Sequence, residues 1–295
     1  MSFMLTDGFI LRENQGIPYY SCRAFESLTW LSHGFSTRQG GAGEEFFTMN
    51  SAAGNTSERA NKNRRRLLSA LGLEDTTLVS LNQVHSDRVY TVGYAESAVG
   101  FHESTFPFQL FSSSEPIGNR QPKINNYEGD ALVTNIESVA LAIKTADCFP
   151  VLIADTVHKA IGVVHSGWRG TLAGVLPRTI EEMKRRFHSD PAHLIFALGP
   201  GIRECCFEVD EDVARLFIET YTEKSTARSA IPGKYLVNLA AVSKAQMTQS
   251  GVPPENQHDS GMCTCCNTQE FFSWRAEGTA AGRMISVISI VASGE

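Results

Sequence analysis

The sequence predicts a single α+β domain built from two β-sheets covered by helices. Three observations lead there. The middle of the chain holds the β-rich runs "DALVTN", "VALAIKTADCFPVLIAD" and "AIGVVHSG", parted only by short polar breaks. Strand-like segments outnumber what a simple βαβ alternation would need, which disfavours a doubly wound sheet. No internal repeat and no linker interrupts the 295 residues, so one domain over residues 1–295 is expected.

The elements follow in chain order. "HGFSTRQGGAGEE" is a glycine-punctuated loop. In "SERANKNRRRLLSALGL", Ala60, Leu67, Leu68 and Leu71 share one helical face, charges take the other, and Gly72 closes the helix. "TTLVSLNQVHSDRVYTV" reads as strand, turn, strand. Residues 97–127 have no steady period and are rich in Ser, Pro and Asn, which predicts a long surface excursion. After the three β-rich runs come a helix in "LAGVLPRTIEEMKRRF", a strand in "HLIFALGPGI" and a helix in "DEDVARLFIETY". "LVNLAAVSKAQMTQSGV" is a helix capped by Gly251, and "FFSWRAEGTAAGRMISVISIV" predicts a hairpin leading into a final strand.

Composition narrows the function classes. Apolar residues make up 42% and charged residues 20%, the profile of a globular protein in water. The net charge is −6 and no basic run exceeds "RRR" at Arg64 to Arg66, which argues against a nucleic-acid surface. No stretch approaches 18 uninterrupted apolar residues, and the N-terminus lacks a basic segment followed by an apolar one, so neither a membrane span nor a secretory leader is expected. Seven cysteines, an odd number, read as reduced thiols in a cytoplasmic enzyme. The oligomeric state is left open.

Three segments end an apolar run with a side chain that can bind metal: "SLNQVHS" with His85, "AIKTADC" with Cys148 and "GVVHSG" with His165. Two imidazoles and a thiolate suit Zn²⁺, and three protein ligands leave one position open, as catalytic zinc requires. Taken singly, each has a plainer reading: a strand-end His as a hydrogen-bonded core or turn residue, an internal Cys as a small hydrophobe. Asp147 is a turn residue or an acid/base beside Cys148, and Asp130 in "GDALVTN" is a turn residue or a similar partner. Arg38 in "STRQGG" lies among glycines that permit close approach of an anion. Arg169, four residues past His165, reaches the same rim, and guanidinium suits phosphate. Lys144, four residues before Cys148, falls on the same face if their run is extended. Arg275 and Arg283 line the pocket or serve in structural pairs, and Trp168 and Phe149 stack on a base or fill the core.

The motifs "HGFSTRQGG", "NQVHSDRV", "GDALVTN", "KTADCFPVLIAD", "VHSGWRG", "GPGIRECCFEV" and "FFSWRAEGTAAGRM" run in order from about residue 33 to 291. Together they resemble the YfiH/DUF152 family, once labelled laccase-domain or polyphenol oxidoreductase proteins and now read as zinc-dependent purine nucleoside phosphorylases. The resemblance implies a four-layer α/β/β/α sandwich and a zinc held by His85, Cys148 and His165. The residues themselves make Asp147, with His85, Cys148 and His165, a candidate catalytic group, and Arg38, Arg169 and Lys144 candidate phosphate binders; the resemblance adds weight to Arg38. The implied substrates are phosphate and a purine nucleoside (adenosine, inosine, guanosine or methylthioadenosine), with adenosine deamination as an associated activity. Copper can replace zinc on the same ligands.

Two departures stand out. The 97–127 excursion exceeds the family pattern. "CTCC" carries Cys265 and Cys266 beside Cys263; adjacent Cys265 and Cys266 cannot easily share one tetrahedral ion, so no second metal is expected there, and Cys205–Cys206 is read as packing. Three rival functions remain. A true laccase needs a polynuclear copper centre, which eight His with no H-x-H pair do not supply. A cysteine- or metal-dependent hydrolase of a cell-wall dipeptide precursor would use Cys148 as nucleophile. A scaffold that lost its chemistry would not need the three ligands.

Overall fold

In a computed structural model, the structure describes residues 8–41, 47–49, 57–94, 108–112, 127–221 and 225–291. Two large sheets form the body. The six-stranded sheet runs in the order Phe9–Asn14, Ile17–Cys22, Leu31–Ser36, Met284–Ile290, Val139–Thr145, Thr77–Ser80. The seven-stranded sheet runs Gln257–Asp259, Leu194–Leu198, Phe149–Asp155, Ile161–Ser166, Ala131–Thr134, Val89–Tyr94, Phe108–Ser112. A small third sheet joins Glu208–Asp210, Lys234–Val237 and Thr226–Arg228.

Period-two alternation sorts the side chains between cores. Val139, Leu141 and Ile143 face the same cluster as Leu152, Ala154, Ile161 and Val163, so the two sheets share one interior. The intervening Ala140 and Ala142 join Ile285 and Val287 beneath Leu67, Leu68 and Leu71 of the helix Ser57–Ala70. On the other sheet, Val151, Ile153, Val133 and Val164 meet Val175, Leu176, Ile180 and Met183 of the helix Val175–Phe187. These strands bury both faces, which is why they read as continuous apolar runs. Each fully buried aliphatic side chain contributes roughly 1.5–3 kcal/mol.

Several sequence expectations need correction. The run "VALAIKTADCFPVLIAD" is two strands in different sheets. The expected helix in "LAGVLPRTIEEMKRRF" is broken at Gly174, which takes φ +82 between Trp168–Ala173 and Val175–Phe187. Leu236 and Val237 belong to the strand Lys234–Val237, and the helix Leu239–Gln249 begins after Asn238, whose Oδ1 accepts the Ala241 amide at 2.9 Å. Instead of a hairpin, "SWRAE" makes a helical turn, Trp274–Glu277, capped by Ser273. Most of the 97–127 excursion lies outside the described residues. Within it, Phe108–Ser112 is an edge strand paired antiparallel with Val89–Tyr94. Gly72 and Gly251 close their helices as expected, at φ +67 and +93. Among the described residues, no helix is long and apolar enough to cross a membrane.

Candidate active site

Residues 146–148 carry the chain from one large sheet to the other, and Cys148 stands at that crossing. Asp147 adopts φ +86, a left-handed conformation that costs a non-glycine residue about 1–3 kcal/mol. The turn is held by its own carboxylate. Oδ1 accepts from Thr264 Oγ1 at 2.7 Å and Oδ2 from the Arg275 amide at 2.6 Å. Asp147 thus positions Cys148; its hydrogen bonds go to Thr264 and Arg275, not to an imidazole.

His165 sits near the end of the strand Ile161–Ser166, opposite Pro150. Its Nδ1 donates to Oδ1 of Asp130 at 2.7 Å. A carboxylate can only accept, so Nε2 is the ring nitrogen turned towards Cys148 and the one that could bind a metal. The same buried Asp130 accepts from the backbone amides of His85 (3.0 Å) and Ser86 (2.5 Å) and from Ser86 Oγ (2.7 Å). One carboxylate therefore orients one imidazole and fixes the loop that presents the other. Burial pushes the Asp130 carboxyl up, but its bonds to His165 and Ser86 hold it below the usual carboxylate range. His85 itself takes φ +60, so this loop too is conformationally demanding.

The motif "VHSGWRG" has a steric explanation. A Cβ on Gly167 would stand 2.8 Å from His85 Cδ2 and 2.9 Å from Cys148 Sγ. A Cβ on Gly170 would stand 3.0 Å from the Ser86 carbonyl oxygen. Glycine at both positions lets the His85 loop close over the strand end.

The donor atoms of His85, Cys148 and His165 all lie within 4.8 Å of one another. Cys148 Sγ is 3.7 Å from His85 Nε2, and the two imidazole rings meet edge to face at 4.9 Å. Zinc bonds of about 2.0–2.3 Å place tetrahedral donors about 3.3–3.8 Å apart, so the set fits Zn²⁺ with small side-chain adjustments. Burial opposes ionisation of Cys148, yet the His165 charge and hydrogen bonds from both imidazoles pull its thiol down to about 6. Burial likewise opposes the His165 cation, but Cys148 and Asp130 push it up to about 9. Between those values the metal-free pair is thiolate and imidazolium.

This cluster opens onto a cavity of about 570 Å³. Trp168, Trp274, Phe207 and Leu239 supply apolar wall; Lys144, Arg169, Arg275 and Arg283 supply cations. Lys144 extends from Val139–Thr145, its backbone clamped by Gln83, whose amide side chain donates to and accepts from it at 2.7 and 2.8 Å. Burial, then Arg64 and Arg283, lower its pKa. Exposed Arg169 lies over the Trp168 ring at 4.2 Å. Arg275 and Arg283 both line the cavity and make structural bonds, Arg275 to the Cys206 carbonyl and Arg283 to those of Ala281 and Gly282.

Two expected residues are elsewhere. Arg38 does not line this cavity: Nη1 donates to the carbonyls of Thr268 (2.5 Å) and Phe271 (3.3 Å) and pairs with Glu277 at 2.9 Å, over the Phe272 ring. A buried guanidinium left unpaired would be costly, and these partners meet that need. Phe149 is fully buried in the core beneath Gly201 and Arg203, so it is no platform for a base. Sequence reasoning missed Trp274, Phe207 and Leu239. A large exposed aromatic beside an arginine in "SWR" was the available signal for the first.

A family model described as "Multi-copper polyphenol oxidoreductase laccase" matches residues 32–291. A purine nucleoside phosphorylase of Bacteroides thetaiotaomicron is 29% identical over 95% of this chain and 98% of its own length. Adenosine deaminase RL5, from an unknown prokaryotic organism, is 30% identical over 76% of this chain and 79% of its own. The crystal structure of YlmD from Geobacillus stearothermophilus superposes with a TM-score of 0.78 at 26% identity, covering 97% of this chain and all of that one. The motifs that pointed to YfiH/DUF152, the match over 260 residues and the shared fold agree: this chain belongs to the multi-copper polyphenol oxidoreductase laccase family.

Proposed function

We propose that this chain is a zinc-dependent purine nucleoside phosphorylase with associated adenosine deaminase activity. The observation that carries the reading is a three-donor cluster with a buried orienting carboxylate, opening onto a cavity with aromatic walls and a cationic side. His85, Cys148 and His165 would hold the metal, which supplies a Lewis acid with one open position when bound. The relatives named above for phosphorolysis and deamination support both chemistries.

The chain's own residues divide the remaining work. Trp168 and Trp274 offer faces for the purine. Lys144 and Arg283 on one wall, with Arg169 at the rim, attract phosphate. In phosphorolysis a phosphate oxygen bonds to ribose C1′ as the bond to purine N9 breaks, giving ribose 1-phosphate and the free base. In deamination water replaces the C6 amine, and ammonia leaves. Asp130 holds the tautomer of His165 throughout, and Asp147 holds the Cys148 turn. Incubating the protein with adenosine tests this: adenine and ribose 1-phosphate are expected only with phosphate, inosine without it. Neither product from metal-replete protein would overturn the reading.

A hydrolase using Cys148 as nucleophile has one observation in its favour, a thiol set between two imidazoles, 3.7 Å from His85 Nε2, which pull its pKa down. Chelation separates the two readings, because a metal-free cysteine enzyme keeps its activity in chelator and loses it to iodoacetamide. A laccase centre finds less support. Among the described residues only two groups of metal-capable side chains converge, and the second is entirely sulfur.

A further inference from the structure

We propose that a second ion, a structural Zn²⁺, is held by the thiolates of Cys205, Cys206, Cys263 and Cys266. All four sulfur atoms lie within 4.8 Å of one another. Cys266 Sγ is 3.5 Å from Cys205 Sγ and 3.3 Å from Cys206 Sγ. A regular ZnS₄ centre with bonds of about 2.3 Å has sulfur–sulfur edges of about 3.8 Å, so these four atoms already approximate the tetrahedron. All seven cysteines, including these four, are free thiols in the structure.

The backbone accounts for the convergence. Cys263 and Cys266 have C-x-x-C spacing, and the turn between them is closed on the Cys263 carbonyl by the Asn267 amide (3.2 Å) and Nδ2 (2.7 Å). Facing it, the Cys206 and Phe207 amides both donate to the Arg203 carbonyl, at 2.9 and 2.8 Å, a tight turn that brings two adjacent cysteines to one side. A parallel bridge between Gly201 and Cys263, with the Thr264 amide donating to the Gly201 carbonyl at 3.2 Å, registers one turn on the other. Adjacency does not prevent the cluster: Cys265 packs against the core and only Cys266 joins from its pair, while adjacent Cys205 and Cys206 both reach Cys266, at 3.5 and 3.3 Å, which corrects the expectation that neighbouring cysteines cannot easily share one ion. The reading of Cys205–Cys206 as packing is thereby revised: Cys205 is exposed and its sulfur meets Cys266.

Without an ion, burial and the neighbouring thiols push Cys205 up to about 12 and raise Cys206 as well, while Cys263 is lowered; the ion's charge is what would ionise all four, and two contacts add to it. The Arg203 amide donates to Cys263 Sγ at 3.4 Å, and Arg275 brings a guanidinium to the Cys206 carbonyl at 2.9 Å, a cation beside a centre of net charge −2. Binding one Zn²⁺ releases the protons of the four thiols and involves no redox change. The ion would cross-link the loops that grip Asp147: Thr264 lies inside the C-x-x-C segment, and the Ile202 amide donates to the Asp147 carbonyl at 2.7 Å. Its role is to hold the frame on which Cys148 is presented.

The test uses the full chain, purified anaerobically with thiol reductant, as wild type and as His165→Ala to empty the three-donor site. One zinc per chain is expected in His165→Ala, with X-ray absorption showing four sulfur neighbours at about 2.3 Å. Adding Cys266→Ser or Cys205→Ser should remove that zinc; both positions are exposed, so at least one variant should fold, and far-UV circular dichroism checks this. A metal-free His165→Ala protein, nitrogen or oxygen neighbours around the remaining zinc, or an intact mass 2 Da low from a disulfide would each overturn the proposal.

Discussion

The two sulfur-bearing clusters make an instructive pair. His85, Cys148 and His165 come from three separate segments, with mixed nitrogen and sulfur donors and a cavity on their open side. Cys205, Cys206, Cys263 and Cys266 come from two facing turns and are all sulfur. Three donors leave an ion one position for substrate; four soft donors close it. The first cluster also carries the conformational cost: left-handed His85 and Asp147, a buried Asp130 and two glycines that only close approach explains. Strain and buried charge collect where the ion must stay open, and regular turns suffice where it is only a rivet.

That contrast can be broken most severely at Gly167. Gly167→Ala drives a methyl group into both His85 and Cys148, and it should lower phosphorolysis by about 100-fold or more, since displacements near 1 Å cost that much. Zinc in the four-sulfur cluster should be unchanged in the same protein. Near-normal turnover would show that the three donors need not converge as described.

Proton release sharpens the comparison further. In metal-free protein between pH 6 and 9, Cys148 is ionised and His165 protonated, so zinc displaces one proton from this pair. Affinity at the three-donor site should rise about tenfold per pH unit across that window. The slope steepens below it, where the thiol also carries its proton, and vanishes above it, where His165 is already neutral. The sign follows for stability too. His165 is raised, so without metal its contribution is complete below its ordinary value and lost as pH climbs through about 9. Calorimetry in buffers of different ionisation enthalpy counts the protons; a pH-independent affinity from 6 to 9 would contradict the ion pair.

The smallest effect is expected at the cationic wall. Lys144→Ala should raise KM for phosphate by about tenfold, the weight of one charge-assisted hydrogen bond, and leave deamination unchanged. Equal loss of both activities would place Lys144 in the frame instead of at the phosphate.

His85, Cys148 and His165 could be picked out in the sequence because each follows an apolar run, and the structure brings their donor atoms within 4.8 Å, His165 from a strand end, Cys148 from the crossing between sheets and His85 from a loop. Their mutual distance was not legible, since the crossing between sheets at 146–148 sits inside the run "VALAIKTADCFPVLIAD", whose two strands have no turn signal between them stronger than Lys144, Thr145 and Asp147. Helix closures at Gly72 and Gly251 were visible because a positive φ selects glycine locally. Arg38 misled for the opposite reason: glycines beside an arginine describe a tight loop, and only the fold shows that Glu277 and two carbonyls receive the guanidinium. The four-sulfur cluster depends on two turns nearly 60 residues apart, and the pairing of Cys266, but not Cys265, with Cys205–Cys206 is set by backbone geometry that spacing alone does not encode.

The central claim is that an ion at His85, Cys148 and His165 performs the chemistry. Its most direct test measures zinc per chain and the rate of adenosine phosphorolysis side by side in wild type and His165→Ala. The expected result is the loss of one zinc per chain together with all measurable turnover, in a protein that remains folded. Full turnover in His165→Ala, or loss of turnover with both metal content and fold untouched, would contradict the account.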